Sequence, residues 1–308
     1  MRCKTPVLLI IFKRPHLTQR VFDVIRQVQP SHLLVAADGP RNDQELYLCE
    51  QTREIIDTVD WDCEIRRNFS DINLGCRERP LSAINWAFSN FEELIILEDD
   101  CLPHASFFPF CDELLEKYRY DQRVMQISGS NLLLKRYDYS SSYIFSSFAP
   151  TWGWASWRRA WNYNDIEMKY LNEFLSKNSL ENIFPSSRDR KVWEHRLRKI
   201  FNRDKKYLSA WDYQWLFSRW TQNGLGIVPS KNLVSNIGFG VDSTHSRNFL
   251  SSYNNVSFHK LELPFVHPNF MAREIDYDKA LFQSSRFSIN PARIIRSLRL
   301  DENVFISQ

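Results

Sequence analysis

The stretch Leu94-Ile95-Ile96-Leu97-Glu98-Asp99-Asp100 constrains this chain more than any other. Four apolar residues, short and uninterrupted, read as a strand buried on both faces of a sheet. Three carboxylates follow at its end, where they repel one another and lose hydration. A hard divalent cation relieves both costs, and oxygen ligands suit Mg²⁺ or Mn²⁺. In open α/β sheets ligands bind outside the carboxyl ends of the strands, which is where these acids would lie. A solvated strand end turning at Pro103 is the plainer alternative.

Two more apolar runs, residues 7–12 and 33–37, have the same character. Between them Leu17, Val21, Val24, Ile25 and Val28 fall at helical spacing, and Pro30 ends the pattern. Strand, helix and strand in this order form a βαβ unit, whose right-handed crossover sets both strand ends on one rim. A polar helix over residues 43–58, a third strand over 63–67, a loop over 71–75 and an amphipathic helix on Leu81, Ile84, Phe88 and Phe91 lead to the acidic strand. Arg14, Asp38 and the acids would then converge on one crevice. No GxGxxG or GxxxxGK fingerprint follows any strand, so a diphosphate there would be held through a metal rather than a glycine nest. The expected fold class is α/β, Rossmann-like, with a mostly parallel central sheet flanked by helices.

After Pro103 the pattern gives a helix through Phe107, Phe108, Cys111, Leu114, Leu115 and Tyr118, then a strand over 124–127. Residues 151–161 hold four Trp at a spacing that is neither a helical stripe nor strict alternation. They form either a floor on which a sugar stacks, with Trp152 and Trp154 as acceptor contacts, or a core corner packed with Arg. Residues 188–206 carry nine basic and three acidic side chains around Val192, Trp193, Leu197, Ile200 and Phe201, the pattern of an amphipathic helix with a solvated face. Trp211-Asp212-Tyr213-Gln214-Trp215 opens another helix. Asp212 either favours the helix dipole or serves as a general base whose pKa rises among aromatic rings. Residues 242–246 read as a polar loop in which His245 touches a phosphate or metal, or is simply a loop histidine. From about Leu250 onward the chain reads as irregular and polar.

Near-balanced charge, 40 basic against 37 acidic residues, predicts no long-range field for nucleic acid. Six Cys, none in CxxC spacing, read as buried thiols of a reducing compartment rather than a zinc site. The apolar run at 7–12 is too short for a signal peptide, and no stretch is long enough to cross a membrane. A cytoplasmic location is expected, with peripheral membrane contact left open.

Taken together these features resemble glycosyltransferases of the GT-A fold, and more narrowly N-acetylglucosaminyltransferase I and its bacterial relatives, over roughly residues 5–248. That resemblance implies that Arg14, in Ile11-Phe12-Lys13-Arg14, contacts the nucleotide, and that Asp38, in Ala37-Asp38-Gly39, binds the uracil. Glu98-Asp99-Asp100 matches the family's metal motif letter for letter. Asp100 would bind Mn²⁺, while Asp99 and Glu98 would hold the ribose and the donor sugar. Trp211-Asp212-Tyr213-Gln214-Trp215 is similar to the segment bearing the catalytic base, with one extra residue, which assigns the base to Asp212 and adds Trp211 as an acceptor contact. Pro229, Ser235, Phe239-Gly240 and Thr244-His245 follow the family's order into a loop that closes over the donor. The chain departs from the family at Ala83-Ile84-Asn85-Trp86, where polar donor contacts are expected.

The implied activity is a metal-dependent (Mn²⁺ or Mg²⁺), inverting transfer from a nucleotide-sugar, a UDP-sugar by the resemblance, to a hydroxyl of a saccharide or lipid-linked saccharide. The implied organisation is a transferase domain over 1–250, with a nucleotide-sugar half at 1–127 and an acceptor half at 128–250, followed by an irregular extension at 251–308. The alternatives are a sugar nucleotidyltransferase and a non-catalytic carbohydrate- or nucleotide-sugar-binding protein on the same sheet.

Overall fold

In a computed structural model, which describes residues 2–133, 140–204, 211–238 and 256–287, the apolar runs become the centre of one eight-stranded sheet. β1 (Val7–Ile11), β2 (His32–Ala37), β3 (Glu64–Phe69) and β4 (Glu93–Glu98) lie parallel in the order β3-β2-β1-β4. Alternate residues of these strands enter opposite cores. Val7, Leu9, Ile11, Ile95 and Leu97 pack on one side, and Leu8, Ile10, Leu94 and Ile96 on the other. An uninterrupted apolar run is what a strand covered on both faces requires.

α1 (Pro15–Val28) and α2 (Asp43–Glu54) connect the first three strands. α1 starts with Pro15 in its first turn and ends at Gln29, whose left-handed φ of 46° lets its N–H reach Ile25 O. It lays Val21, Phe22, Ile25 and Val28 on the first core. α3 (Gly75–Asn90) covers the other face with Leu81, Ile84, Ala87 and Phe88. β5 (Cys101–Pro103) leads into α4 (Phe107–Lys117), which returns to the α1 side.

β6 (Val124–Ser128), β7 (Tyr143–Ser146) and β8 (Trp154–Trp157) enlarge the sheet. α5 (Arg158–Trp161) packs on the α3 face through Ala160 and Trp161, and α6 (Leu171–Ser176), α7 (Ser187–Phe201) and α8 (Asp212–Thr221) then build a second apolar cluster before β9 (Leu225–Pro229) closes the order β4-β8-β6-β9-β7. β8 and β7 run antiparallel to their neighbours while β6 and β9 are parallel, so the sheet is mostly parallel. The α/β architecture, a mostly parallel central sheet flanked by helices, is as expected. β10 (Val234–Asn236) pairs with β5 in a separate two-stranded sheet.

One expectation fails. The stretch after Leu250 is not irregular throughout: α9 (Ile275–Phe287) is a helix, and its Tyr277, Ala280, Leu281 and Phe282 pack in the second cluster. Leu261 and Phe265 join the first. The basic segment is the expected amphipathic helix, α7, burying Trp193, Leu197 and Ile200. None of the six cysteines forms a disulfide, and Cys63 and Cys76 are half-buried rather than buried. Among the described residues no helix is long and apolar enough to cross a membrane.

Candidate active site

Strand register delivers three polar ends to one rim. Ile11 pairs with Ala37, Ile10 pairs with Glu98, and the ladder continues from Asp38 N to Ile11 O and from Asp99 N to Ile10 O, 3.0 Å each. Three residues beyond β1, Arg14 turns onto the acids. Its Nε donates to Asp99 Oδ2 at 3.2 Å, a second bond joins Nη2 to Asp99 Oδ1, and Nη2 lies 3.0 Å from Asp100 Oδ2. Asp99 is buried, so the fork acts in a poorly solvated place where charge-assisted bonds are strong. Burial opposes the charged guanidinium, but Asp99 and Asp100 overcome that and hold Arg14 firmly protonated. Burial pushes Asp99 up, against the pull of Arg14.

One cation does not balance three carboxylates. Glu98 is pushed up to about 8, first by burial and then by the charges of Asp100 and Asp99, with Asp212 adding to the effect. That last contribution places Asp212, at the first turn of α8, within electrostatic reach of the cluster. Asp212 itself is exposed. The expectation that aromatic rings enclose it is therefore corrected: it stands at the edge of an aromatic cavity whose walls include Tyr213 and Trp215.

The chemistry of this donor set fits a divalent ion only in part. Among the described residues no three His, Cys, Asp or Glu side chains are arranged to hold a metal on their own. Asp100 offers hard oxygens, and the excess negative charge beside it is the kind a Mg²⁺ or Mn²⁺ ion neutralises. Such ions are commonly bound through one or two carboxylates, with water and substrate phosphates completing the shell.

Asp38 is placed differently from its expected role. Its Oδ1 accepts from Gly39 N at 3.0 Å and Leu74 N at 2.8 Å, and its Oδ2 from Asn73 Nδ2 at 3.0 Å and Gly75 N at 2.9 Å. A carboxylate has about four lone-pair sites, so this one is saturated by protein donors. Asp38 caps the N-terminus of α3, where its charge also complements the helix dipole. Gly39 is needed beside it, because a Cβ there would meet the Ile72 backbone at 2.5–2.6 Å.

Two of the three expected stacking residues are core. Trp154 is 1% exposed and Trp211 7%, and they pack on one another at 6.0 Å and around Trp161 and Trp215. Neither presents a face for a sugar. Trp152 is half-buried and packs against the first core. His245, with Phe239, Gly240 and Thr244, lies outside the described residues.

Two features were not legible beforehand. Lys13 Nζ and Arg41 Nε meet Glu45 at 2.7 and 3.0 Å, flanking the Phe12 ring at 5.8 and 5.7 Å. Arg41 first, with Lys13, pulls the Glu45 carboxyl down to about 2, so two cations share one anion beside Arg14. The second is Gly238. Ile237 N bonds Asp100 O at 2.8 Å, and a Cβ on Gly238 would lie 2.7 Å from Asp100 Cβ and Cγ. Its sole sequence signal is the glycine just past the β10 segment.

No family model matches the sequence, and no curated protein matches it. Among solved structures, a cytidylyltransferase from Leptospira borgpetersenii aligns at 13% identity with a TM-score of 0.32, over 56% of this chain and 65% of its own. Residues 1–349 of S. aureus TarS align at 11% and 0.33, over 52% and 49%. The bifunctional glycosyltransferase WbbM aligns at 9% and 0.27, over 58% and 33%. The chain thus spans less than two thirds of each of these proteins.

Proposed function

We propose that this protein is a metal-dependent, inverting glycosyltransferase that moves a sugar from a nucleotide-sugar, a UDP-sugar in the first instance, to a hydroxyl of a saccharide acceptor. The observation that carries the reading is the meeting of Arg14 with Asp99 and Asp100 at the strand ends; Asp212, at the first turn of α8, adds to the negative field on Glu98. A binding module has no use for a carboxylate across from an acidic rim, whereas a transferase needs one for the acceptor proton.

In this reading Arg14 fixes the orientation of Asp99 and Asp100, and the surplus of positive charge from Lys13 and Arg41 attracts the donor's phosphates. Asp100 would hold the Mn²⁺ or Mg²⁺ ion, which when bound supplies Lewis-acid stabilisation of charge on the diphosphate. Glu98 and Asp99 line the donor side. Asp212 accepts the proton of the acceptor hydroxyl as its oxygen bonds to the anomeric carbon. The bond from that carbon to the diphosphate oxygen breaks, and the diphosphate leaves with the electron pair. One base and a direct displacement give inversion. His245 remains a proposed contact to phosphate or metal. Asp38, whose carboxylate is taken up by protein donors, is not assigned to the base.

The nucleotidyltransferase alternative is less favoured, because β1 passes through Phe12, Lys13 and Arg14 directly into α1 and leaves no room for a glycine-rich loop. The test is release of nucleoside diphosphate from a panel of nucleotide-sugars with Mn²⁺. We expect one donor to be used and Asp212→Asn to lower turnover by about 10²–10⁴-fold at unchanged donor affinity. Near-normal turnover in Asp212→Asn removes the base assignment, and release of pyrophosphate from a sugar phosphate and a nucleoside triphosphate would replace the reading.

A further inference from the structure

Beside Asp212 lies a cavity of about 230 Å³, walled by Phe148, Trp193, Tyr213, Trp215 and Phe282, with Arg219 at its inner side. Arg219 is 1% exposed. Its Nε and Nη1 have no hydrogen-bond partner among the described residues, and its Nη2 reaches only Ala149 O, at a long 3.5 Å. Leaving a buried guanidinium so poorly satisfied is costly, and a native chain tolerates it where a ligand completes the site. The position is built: Gly226 in β9 leaves the room that the guanidinium fills, since a Cβ there would lie 2.9 Å from Nη1.

The charges around it favour an anion. Asp278 of α9 is the acid whose field Arg219 feels, but Asp278 is already engaged by Ser146 Oγ, by Ser147 N at 3.2 Å and by Arg273 Nε at 3.6 Å. Arg196 of α7 stacks on Trp193 and Tyr213 with its guanidinium 4.8 and 5.6 Å from the ring centres, and adds a further cation to the wall. The charged side chains that line the cavity are Arg219 and Arg196 against Asp212; Asp278 and Arg273 pair with each other outside its lining. Burial draws the Arg219 pKa down to about 10, which still leaves it a cation at neutral pH. Its planar fork matches a carboxylate or phosphate in bidentate fashion. Tyr213, the half-buried ring of the wall, suits the C–H face of a sugar, and the volume suits one ring rather than a long chain.

We infer that this cavity is the acceptor subsite and that it selects a sugar carrying an anionic substituent, a carboxylate or a phosphate, which the orphaned Arg219 guanidinium receives. The inference rests on the transferase reading, because it is Asp212, shared between cavity and acidic rim, that makes the occupant an acceptor.

The experiment is calorimetric titration of the full chain with methyl glucoside, methyl glucuronoside and glucose 6-phosphate. We expect at least one anionic probe to bind about tenfold or more tighter than methyl glucoside. The stronger arm identifies the group as carboxylate or phosphate. The preference should vanish in Arg219→Gln and in a Trp substitution of Thr151, which also lines the cavity: Thr151→Trp narrows it without altering Arg219, and each variant is checked for native circular dichroism. Equal binding of all three probes, binding of none, or an anionic preference that survives both folded variants overturns the inference. UDP titration with Mn²⁺ separates the two readings. Nucleotide binding without anionic preference removes only the subsite. Anionic preference without nucleotide binding keeps the anion site and removes the transferase role.

Discussion

The Arg14 guanidinium spans two adjacent acids, with its Nε 3.2 Å from Asp99 Oδ2 and its Nη2 3.0 Å from Asp100 Oδ2. One side chain thereby sets the direction of both carboxylates at the end of β4. Removing it strands the buried Asp99 without its countercharge. Arg14→Ala should therefore cost about 3–5 kcal/mol of stability, measured by urea unfolding, and should abolish nucleotide binding in the fraction that remains folded. Arg14→Lys, which keeps charge but loses the fork, should recover part of the stability and little of the binding.

Gly238, just past β10, leaves the space that the Asp100 carboxylate occupies, because a Cβ there would lie 2.7 Å from Asp100 Cγ. Gly238→Ala should push that carboxylate aside. The expected outcome is a nucleotide affinity that no longer responds to Mn²⁺, in a protein whose unfolding midpoint in urea shifts little. Retained Mn²⁺ dependence would show that Asp100 moves freely or is not the ligand.

Asp38 should behave as a structural residue. Asp38→Ala orphans the N–H groups of Leu74 and Gly75 at the start of α3, and each buried unsatisfied group costs roughly 1–3 kcal/mol. A lower thermal midpoint with UDP affinity nearly unchanged is the prediction. An unchanged midpoint with lost UDP affinity would restore Asp38 to the base-binding role that the resemblance implied.

Asp278 gives a pH dependence with a definite sign. Burial raises its carboxyl to about 6 against the bonds from Ser146 and Ser147 and the charges of Arg273 and Arg219. Between about pH 4 and pH 6 the unfolded chain loses this proton while the folded chain keeps it. The folded state binds more protons there, so stability falls as pH rises through the window and levels off above it. The size is about 3 kcal/mol. Denaturant titrations at a series of pH values should show the decline, and Asp278→Asn should remove it.

What the sequence revealed and what it hid follow from range. β1, β2 and β4 were legible because burial on both faces demands an unbroken apolar run, and the order of Arg14, Asp99 and Asp100 at their ends is a local consequence of strand register. The Trp-rich stretch resisted reading because two short elements share it: β8 sends Trp154 and Trp157 to different cores, and α5 begins at once after it. α9 was missed because Asp276, Asp278 and Lys279 dilute its apolar face, and Asp278 is an acid turned inward. The remaining surprises are contacts across the chain. Three of the four donors that saturate Asp38 lie 35 to 37 residues away, and Arg219 looks in sequence like any helix-ending basic residue until the fold buries it. Neither fact has a local signature.

The central claim is that the strand-end acids and Arg14 form a metal-assisted nucleotide site, and calorimetric titration addresses it most directly. UDP, GDP, CMP and dTDP would each be titrated into the protein with and without Mn²⁺, and again into Asp100→Asn. The account predicts that one nucleotide, UDP in the first instance, binds tightly only with Mn²⁺, and that Asp100→Asn removes this response while leaving the fold intact. Binding of no nucleotide under either condition, or metal-dependent binding that Asp100→Asn leaves unchanged, would contradict it.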